Sequence, residues 1–203
     1  MKNLIFVVLS FFTLSCCSLD DISKIGNYDN PKKALMVVDM QIDYIDENGK
    51  FPIEKNQINN LITNTNYVID DFFINGYEII YIKMYFRKND IKNVFRNFAV
   101  IEGSAGAEID PRINIRSNNI FTKYTPNAFT NNRLENYLIK NQINEIFMCG
   151  VMADECVYET ALGAFDRGYI VNYISNAVGS SSIKNIEDAI EKLRKKGINI
   201  IEY

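Results

Sequence analysis

Residues 149–168 read CGVMADECVYETALGAFDRG, the pattern of a strand end, a tight turn and a helix. The apolar run at residues 146–149 predicts a buried strand, and Gly150 is expected to end it. Asp154 is a favourable N-cap for a helix, and apolar residues recur after it at helical spacing. This pattern places Cys156 in the first turn of a helix, just beyond the end of a strand.

The position of Cys156 is favourable for a nucleophile. Unpaired backbone N–H groups and the positive end of the helix dipole both favour a thiolate at the start of a helix. For a single cysteine, however, a small buried core residue is the more common role. The rest of the chain has to decide between these two interpretations.

Strands and helices alternate along the chain. Continuous apolar runs predict further buried strands at residues 34–38, 78–84, 119–122, 169–173 and 198–201. Apolar residues at helical spacing predict helices at residues 54–75, 131–141 and 183–196. Two-sided apolar strands that alternate with helices indicate an α/β fold, a three-layer sandwich with a mostly parallel sheet and helices on both faces.

Three side chains that could take part in catalysis follow predicted strands. Asp39, Lys123 and Cys156 all fall at the carboxyl ends of strands, the edge where such sheets bind ligands. An ammonium beside Asp39 would keep it ionised as a base for the thiol, and the N–H groups of Met152 and Cys156 could form an oxyanion hole. This set suits acyl transfer. Taken singly, Asp39 as a loop cap and Lys123 as a solvated charge remain alternatives.

Composition narrows the range of functions. The 203-residue chain is long enough for one domain with a full core. It contains no His, which excludes Ser-His and Cys-His catalysis and His-ligated metal sites. With a net charge of −3, the chain lacks the excess of positive charge that is typical of nucleic-acid-binding proteins, so no nucleic-acid partner is expected. The four cysteines do not suggest a disulfide framework, because two lie near the N-terminus and two lie at the predicted strand and helix.

The N-terminus has the pattern of an export signal. Residues 1–17 begin with a short positive segment and continue with an apolar stretch that is too short to span a bilayer as a helix. Small residues and cysteines follow, which resembles a bacterial lipoprotein signal. Cys16 or Cys17 would then be lipidated, and each fits the pattern only in part.

The predicted organisation follows from that signal. Residues 1–17 are a signal peptide of lipoprotein type, residues 18–32 a linker and residues 33–203 the folded domain. We therefore expect export and a lipid anchor in a bacterial membrane, on its periplasmic or surface side. An ordinary cleaved signal is one alternative, and a cytoplasmic protein with a hydrophobic N-terminal helix is the other.

Four motifs resemble those of the isochorismatase-like cysteine hydrolases. Asp39 lies in VVDMQIDY, Lys123 in KYTPNAF and Cys156 in GVMADECV, and the glycine-rich loop at residues 103–108 is similar to the family's Gly-Thr-x-Gly-Ala-Glu loop. The family includes nicotinamidases, N-carbamoylsarcosine amidases and ureidoacrylate-type amidases. The resemblance runs from about residue 33 to residue 203.

The resemblance implies several further properties. The fold would contain a six-stranded Rossmann-like sheet, and Asp39, Lys123 and Cys156 would form the family's catalytic triad. A cis peptide bond in the family's cysteine turn would correspond to Val151–Met152. A homo-oligomer is also expected, since members of this family are commonly oligomeric.

Departures from the family pattern narrow the reaction. Nicotinamidases hold a metal with an Asp and several His, and this chain has no His, so neither a metal nor another cofactor is expected. True isochorismatases generally lack the cysteine nucleophile, and Cys156 is present. The resemblance therefore implies metal-independent hydrolysis of the amide or carbamoyl C–N bond of a small molecule.

Substrate contacts are predicted at Gln41, Arg87 and Phe129. Arg87 could hold a substrate carboxylate or be a surface charge, and Phe129 could form a pocket wall or belong to the core. Two other functions stay open. One is a ligand-binding or interaction lipoprotein with the same fold and no turnover. The other is thiol redox chemistry at Cys156, which lacks a nearby resolving cysteine.

Overall fold

The computed structural model describes residues 25–203. The predicted signal peptide, with the lipidation sites Cys16 and Cys17, lies outside the described residues, as does the first part of the predicted linker, residues 18–24, and these features stay predictions. Within residues 25–203, no helix is both long and apolar enough to cross a membrane.

The described chain forms one α/β unit around a six-stranded sheet, as predicted. The strands are β1 (Lys32–Val38), β2 (Glu78–Met84), β3 (Ile120–Lys123), β4 (Ile143–Val151), β5 (Ile170–Gly179) and β6 (Asn199–Ile201). The α-helices are α1 (Ile42–Ile45), α2 (Lys55–Ile74), α3 (Asn132–Lys140), α4 (Cys156–Asp166) and α5 (Ile183–Lys196). Short 3₁₀ helices span Ile91–Arg96, Ala105–Ala107 and Ala128–Thr130.

All strand pairs are parallel, in the order β3-β2-β1-β4-β5-β6. The chain moves outward from β1 in one direction through β2 and β3, and in the other through β4, β5 and β6. The carboxyl ends of β1 and β4 therefore flank the point where the strand order reverses, which is the usual ligand site of such sheets.

The two faces of the sheet support separate apolar layers. In β1, Met36 and Val38 pack into one layer while Leu35 and Val37 pack into the other, as the period of two requires. Helix α2 covers the face that contains Leu35, and α3, α4 and α5 cover the face that contains Met36. Burial on both faces explains the continuous apolar runs of the central strands.

Strand β4 is longer than predicted, because Gly150 does not end it. Gly150 continues the strand with φ +121°, a conformation that L side chains rarely adopt, and pairs with Val38 of β1. A Cβ atom at this position would lie 2.0 Å from the Val38 carbonyl oxygen. The glycine therefore permits β1 and β4 to approach closely beside the site.

The start of α4 and the length of β5 also differ from the predictions. The N-cap of α4 is Glu155, not Asp154, and the Asp154 carboxylate accepts a hydrogen bond from the Ser180 hydroxyl. Strand β5 continues past the predicted end at residue 173 to Gly179. Its second half contains polar residues, which interrupt the apolar run on which the prediction depended.

Gly150→Ala should destabilise the protein by about 2–4 kcal/mol, because it combines an unfavourable φ with a backbone clash. Urea unfolding of the full chain measures the loss. Gly76→Ala is the matched control: Gly76 has φ +68° with no atom within 4 Å of an added Cβ, so about 1 kcal/mol is expected. Equal losses in the two variants would contradict the close approach of β1 and β4.

Candidate active site

A buried ion pair joins the ends of β1 and β3. Asp39 follows β1, and Lys123 is the last residue of β3. The Lys123 Nζ lies 2.7 Å from Asp39 Oδ2, and both side chains are fully buried. To reach Asp39, Lys123 crosses the end of β2, where its Nζ lies 3.6 Å from Met84 Sδ. The structure thus brings together two of the three predicted catalytic groups.

The Asp39 carboxylate is held in place by its ion pair with Lys123. Neither of its oxygens has a hydrogen-bond partner of regular geometry among residues 25–203, so the contact with Lys123 is an ion pair. Burial raises the pKa of Asp39, and the charge of Lys123 opposes that rise. Burial tends to lower the pKa of Lys123, but attraction to the Asp39 carboxylate and contact with Cys156 outweigh that effect, and the net pKa is raised. Lys123 therefore stays an ammonium beside a carboxylate that is more basic than usual.

Cys156 is the third member of this cluster. It is the first residue of α4, and only 6% of its surface is exposed. Burial raises the pKa of its thiol to about 12, and the Asp39 charge adds to the rise while Lys123 opposes it. The expectation of a thiolate from the helix start alone is therefore corrected: the resting group is a thiol, and its proton needs an acceptor.

The turn between β4 and α4 has free amide groups. The Val151–Met152 peptide bond is cis, as the resemblance implies. Within residues 25–203 the backbone N–H groups of Met152 and Cys156 have no hydrogen-bond acceptor, whereas Ala153 N donates to the Gly179 oxygen at 2.8 Å. The turn is thus anchored to β5 while the two predicted oxyanion-hole donors are left available.

A cavity of about 480 Å³ opens onto this cluster, a size that suits a small molecule. The walls are largely aromatic and apolar, and they include a few charged side chains. The lining residues are Tyr44, Phe51, Met84, Phe86, Asp90, Lys92, Arg96, Ala99, Tyr124, Thr125, Pro126, Met152, Glu155 and Cys156.

Tyr44 is a site residue that the sequence analysis missed. It lies in α1, is nearly buried and lines the cavity with Cys156. Burial raises its pKa well above 10, and the charge of Asp39 adds to the rise. Tyr44 is therefore a neutral hydrogen-bond donor in the cavity. The only sequence signal was its position five residues after Asp39, which does not by itself indicate the direction of the side chain.

The predicted substrate contacts lie elsewhere. Gln41 is fully buried, with its amide donating to the carbonyl oxygens of Met84 and Ala107 and accepting from Met84 N, so its role is structural. Phe129 packs in the core under α4 and also does not line the cavity. Arg87 lies in a neighbouring surface cleft, 5.6 Å from the Tyr124 ring centroid.

The donor groups do not fit a metal site. The chain has no His, and residues 25–203 contain no cluster of three or more His, Cys, Asp or Glu side chains. The residues that line the cavity after β2 include Lys92 and Arg96, whose positive charges oppose a cation.

The parallel sheet and the cluster at its carboxyl edge define an α/β protein with a buried Asp–Lys pair beside a cysteine. The family model described as the isochorismatase domain matches residues 33–202. The chain therefore belongs to the isochorismatase family.

Solved structures share the fold. The pyrazinamidase of Pyrococcus horikoshii, in a complex with zinc, is 26% identical with a TM-score of 0.77, and the match covers 85% of this chain and 100% of that one. The nicotinamidase PncA of Bacillus subtilis is 24% identical with a TM-score of 0.77, covering 84% of this chain and 100% of that one.

A curated relative matches over a shorter region. The secreted isochorismatase effector Isc1 of Phytophthora sojae is 36% identical over 69 residues. The match covers 33% of this chain and 33% of the relative, so the chain spans about a third of that relative's length.

Lys123→Met should destabilise the protein by about 3–5 kcal/mol, because it leaves the buried Asp39 carboxylate without its cation. The double variant Asp39→Asn, Lys123→Met removes both charges and should recover most of the loss. Urea unfolding at pH 7 measures both. If the double variant is as unstable as the sum of the two single variants, the ion pair does not govern the stability of this site.

Alkylation of Cys156 by iodoacetamide should become about tenfold faster for each pH unit from 7 to 10, because a thiol with a pKa of about 12 gains thiolate throughout that range. Peptide mass spectrometry gives the rate at each cysteine. Cys149 is fully buried and should stay unmodified in the folded protein.

Two comparisons test this pH profile. In the unfolded chain, the rate of Cys156 alkylation should stop rising above the ordinary thiol pKa of 9.0. In the folded Lys123→Met variant, alkylation should be slower than in the unchanged protein, because the Lys123 charge lowers the pKa of the thiol. A plateau below pH 9 in the folded protein would contradict the raised pKa.

Proposed function

We propose that the protein is a cysteine-dependent hydrolase that cleaves the amide or carbamoyl C–N bond of a small molecule through a thioester acyl-enzyme. The observation that carries the proposal is the fully buried Asp39–Lys123 ion pair beside Cys156 at the base of a cavity. Buried ion pairs rarely add net stability to a fold, so stability alone does not explain why this pair is present.

The first step transfers a proton and forms a covalent bond. Asp39 accepts the proton of the Cys156 thiol as the sulfur attacks the substrate carbonyl carbon. Negative charge then develops on the carbonyl oxygen. The free N–H groups of Met152 and Cys156 can donate to that oxygen, and their positions are fixed before substrate arrives.

The second step breaks the C–N bond. The tetrahedral intermediate collapses, the nitrogen takes the proton from Asp39, and an amine or ammonia leaves. The acyl group remains on the Cys156 sulfur as a thioester. Lys123 stays protonated throughout, and its charge stabilises the Asp39 carboxylate each time the carboxylate gives up its proton.

The third step hydrolyses the thioester. Asp39, once more a carboxylate, accepts a proton from a water molecule that attacks the thioester carbonyl. The C–S bond breaks, the carboxylic or carbamic acid leaves, and the sulfur regains the proton from Asp39. The enzyme returns to its resting thiol, in keeping with the raised pKa of Cys156.

Metal-independent chemistry forms part of the proposal. The side chains that line the cavity supply no ligand set for zinc, and the protein groups described above account for every proton in the cycle. Apolar and aromatic side chains, among them Met84, Phe86 and Met152, favour a substrate with an apolar or flat acyl portion. The Tyr44 hydroxyl can donate to a polar group of that substrate.

Incubation of the full chain with a panel of small amides, ureas and carbamoyl compounds should place an acyl adduct on Cys156, and intact-protein and peptide mass spectrometry will detect it. The mass of the adduct identifies the acyl group. Asp39→Asn should lower kcat/KM about 10²–10⁴-fold, because it removes the base. The adduct should be absent in both Asp39→Asn and Lys123→Ala.

Cys149→Ser is the matched control, because Cys149 lies on β4 away from the cavity and its replacement should leave turnover in place. An adduct on a residue other than Cys156 would overturn the mechanism. Tight binding of one compound, with neither product nor adduct, would instead support a binding protein without turnover.

A further inference from the structure

The segment between β2 and the glycine-rich loop has an inverted distribution of polar and apolar side chains. Its 3₁₀ helix, Ile91–Arg96, buries the polar Asn93 completely. It exposes apolar side chains instead, and we define these as the 91–98 patch: Ile91 (83% exposed), Val94 (65%), Phe95 (85%) and Phe98 (50%). Neighbouring large apolar residues with this exposure indicate an interaction surface.

The outward orientation of the patch is fixed by hydrogen bonds beneath it. The Asn93 side-chain amide donates to the Arg87 carbonyl oxygen at 2.9 Å. At the other end of the segment, the buried Asp43 carboxylate accepts a hydrogen bond from Val100 N at 2.7 Å. Turning the apolar side chains inward would break both hydrogen bonds, so these bonds hold the segment in the orientation that exposes the patch.

Positive charge predominates in the segment that contains the patch. Residues 85–98 contain four basic residues and one acidic residue, whereas the whole chain has a net charge of −3. The acidic residue, Asp90, pairs with Arg96 at 3.1 Å. Exposed cations without an ion-pair partner in residues 25–203 then remain beside the apolar side chains: Arg87, Lys88 and Lys92.

We propose that the 91–98 patch binds an anionic phospholipid surface. Exposed aromatic and aliphatic side chains that are interleaved with Lys and Arg have the composition of interfacial membrane-binding segments. The apolar side chains would enter the boundary between headgroups and acyl chains. The cations would meet the lipid phosphates, each contributing electrostatic attraction that falls off within a Debye length.

A second copy of this chain is a poorer match for the patch. Most homodimers are two-fold symmetric, and a symmetric contact would bring the basic residues around one patch against the same residues of the other. That arrangement is repulsive, while an anionic lipid surface is attractive. The patch also adjoins the cavity, because Lys92 and Arg96 of the same segment line it. Membrane binding would therefore place the candidate active site close to the lipid surface.

The chain contains no Trp, so a single introduced Trp reports its own position without background. In the full-length protein, Phe95→Trp places this probe at the centre of the patch. Vesicles of phosphatidylcholine with phosphatidylglycerol should shift its fluorescence to shorter wavelength, and lipids with brominated acyl chains should quench it. Vesicles of phosphatidylcholine alone should do neither.

Ile74→Trp is the matched control. Ile74 is 81% exposed at the end of α2, and this end of the helix lies at the amino edge of the sheet. Its fluorescence should not change with either vesicle, even if residues 1–24 attach the chain to the lipid. Attachment through the N-terminus alone is therefore distinguished from insertion of the patch.

A pair of double charge reversals separates the role of charge at the patch from a general change in net charge. Lys88→Glu with Lys92→Glu, in the Phe95→Trp protein, should abolish the shift and the quenching. Lys192→Glu with Lys196→Glu changes the net charge equally on the remote helix α5 and should leave both in place.

Three results would overturn the proposal. The first is a Phe95→Trp probe that no vesicle affects, and the second is equal quenching of the two probes. The third is a concentration-dependent shift of the Phe95→Trp emission without vesicles, accompanied by dimers in light scattering. That third result would assign the patch to a second copy of the chain.

Discussion

The buried ion pair between Asp39 and Lys123 is the interaction on which the rest of the site depends. Two charges at 2.7 Å with no access to water must stay together, since either one alone would be very costly to bury. This requirement links the ends of β1 and β3, which are not neighbours in the sheet. The ion pair therefore fixes the position of the Asp39 carboxylate relative to Cys156, and the Lys123 charge favours the ionised form of that carboxylate.

The sequence predicted the parts of the structure that depend on local patterns. The helix at residues 183–196 has the predicted bounds, and the strand at 78–84 also matches, because strong apolar periodicity and turn residues define both. Gly150 was misjudged for a physical reason. A glycine inside a strand can serve a close backbone contact rather than a break, and the identity of the contacting strand is not a local property.

Most of the side chains that line the cavity could not be predicted from the sequence. Gln41 and Tyr44 lie three residues apart, but the amide of Gln41 is used by the backbone of β2 and the glycine-rich loop, while Tyr44 faces the cavity. Phe129 is apolar like the cavity walls and packs in the core instead. The raised pKa of the Cys156 thiol was also not predicted, because desolvation depends on surrounding atoms that only the folded chain brings together.

The raised pKa of Cys156 has a consequence for the timing of the proposed reaction. A thiol with a pKa of about 12 holds its proton in the resting enzyme, so transfer to Asp39 is unfavourable until another interaction offsets it. In the proposed mechanism substrate supplies that interaction, because charge moves from the sulfur to a carbonyl oxygen that the Met152 and Cys156 amides can stabilise. Stabilisation then arises in the transition state rather than in the resting enzyme, which is the condition for faster chemistry. A permanently ionised thiolate would forgo that advantage and be open to oxidation, whereas a thiol of raised pKa stays largely protonated until the proposed substrate is present.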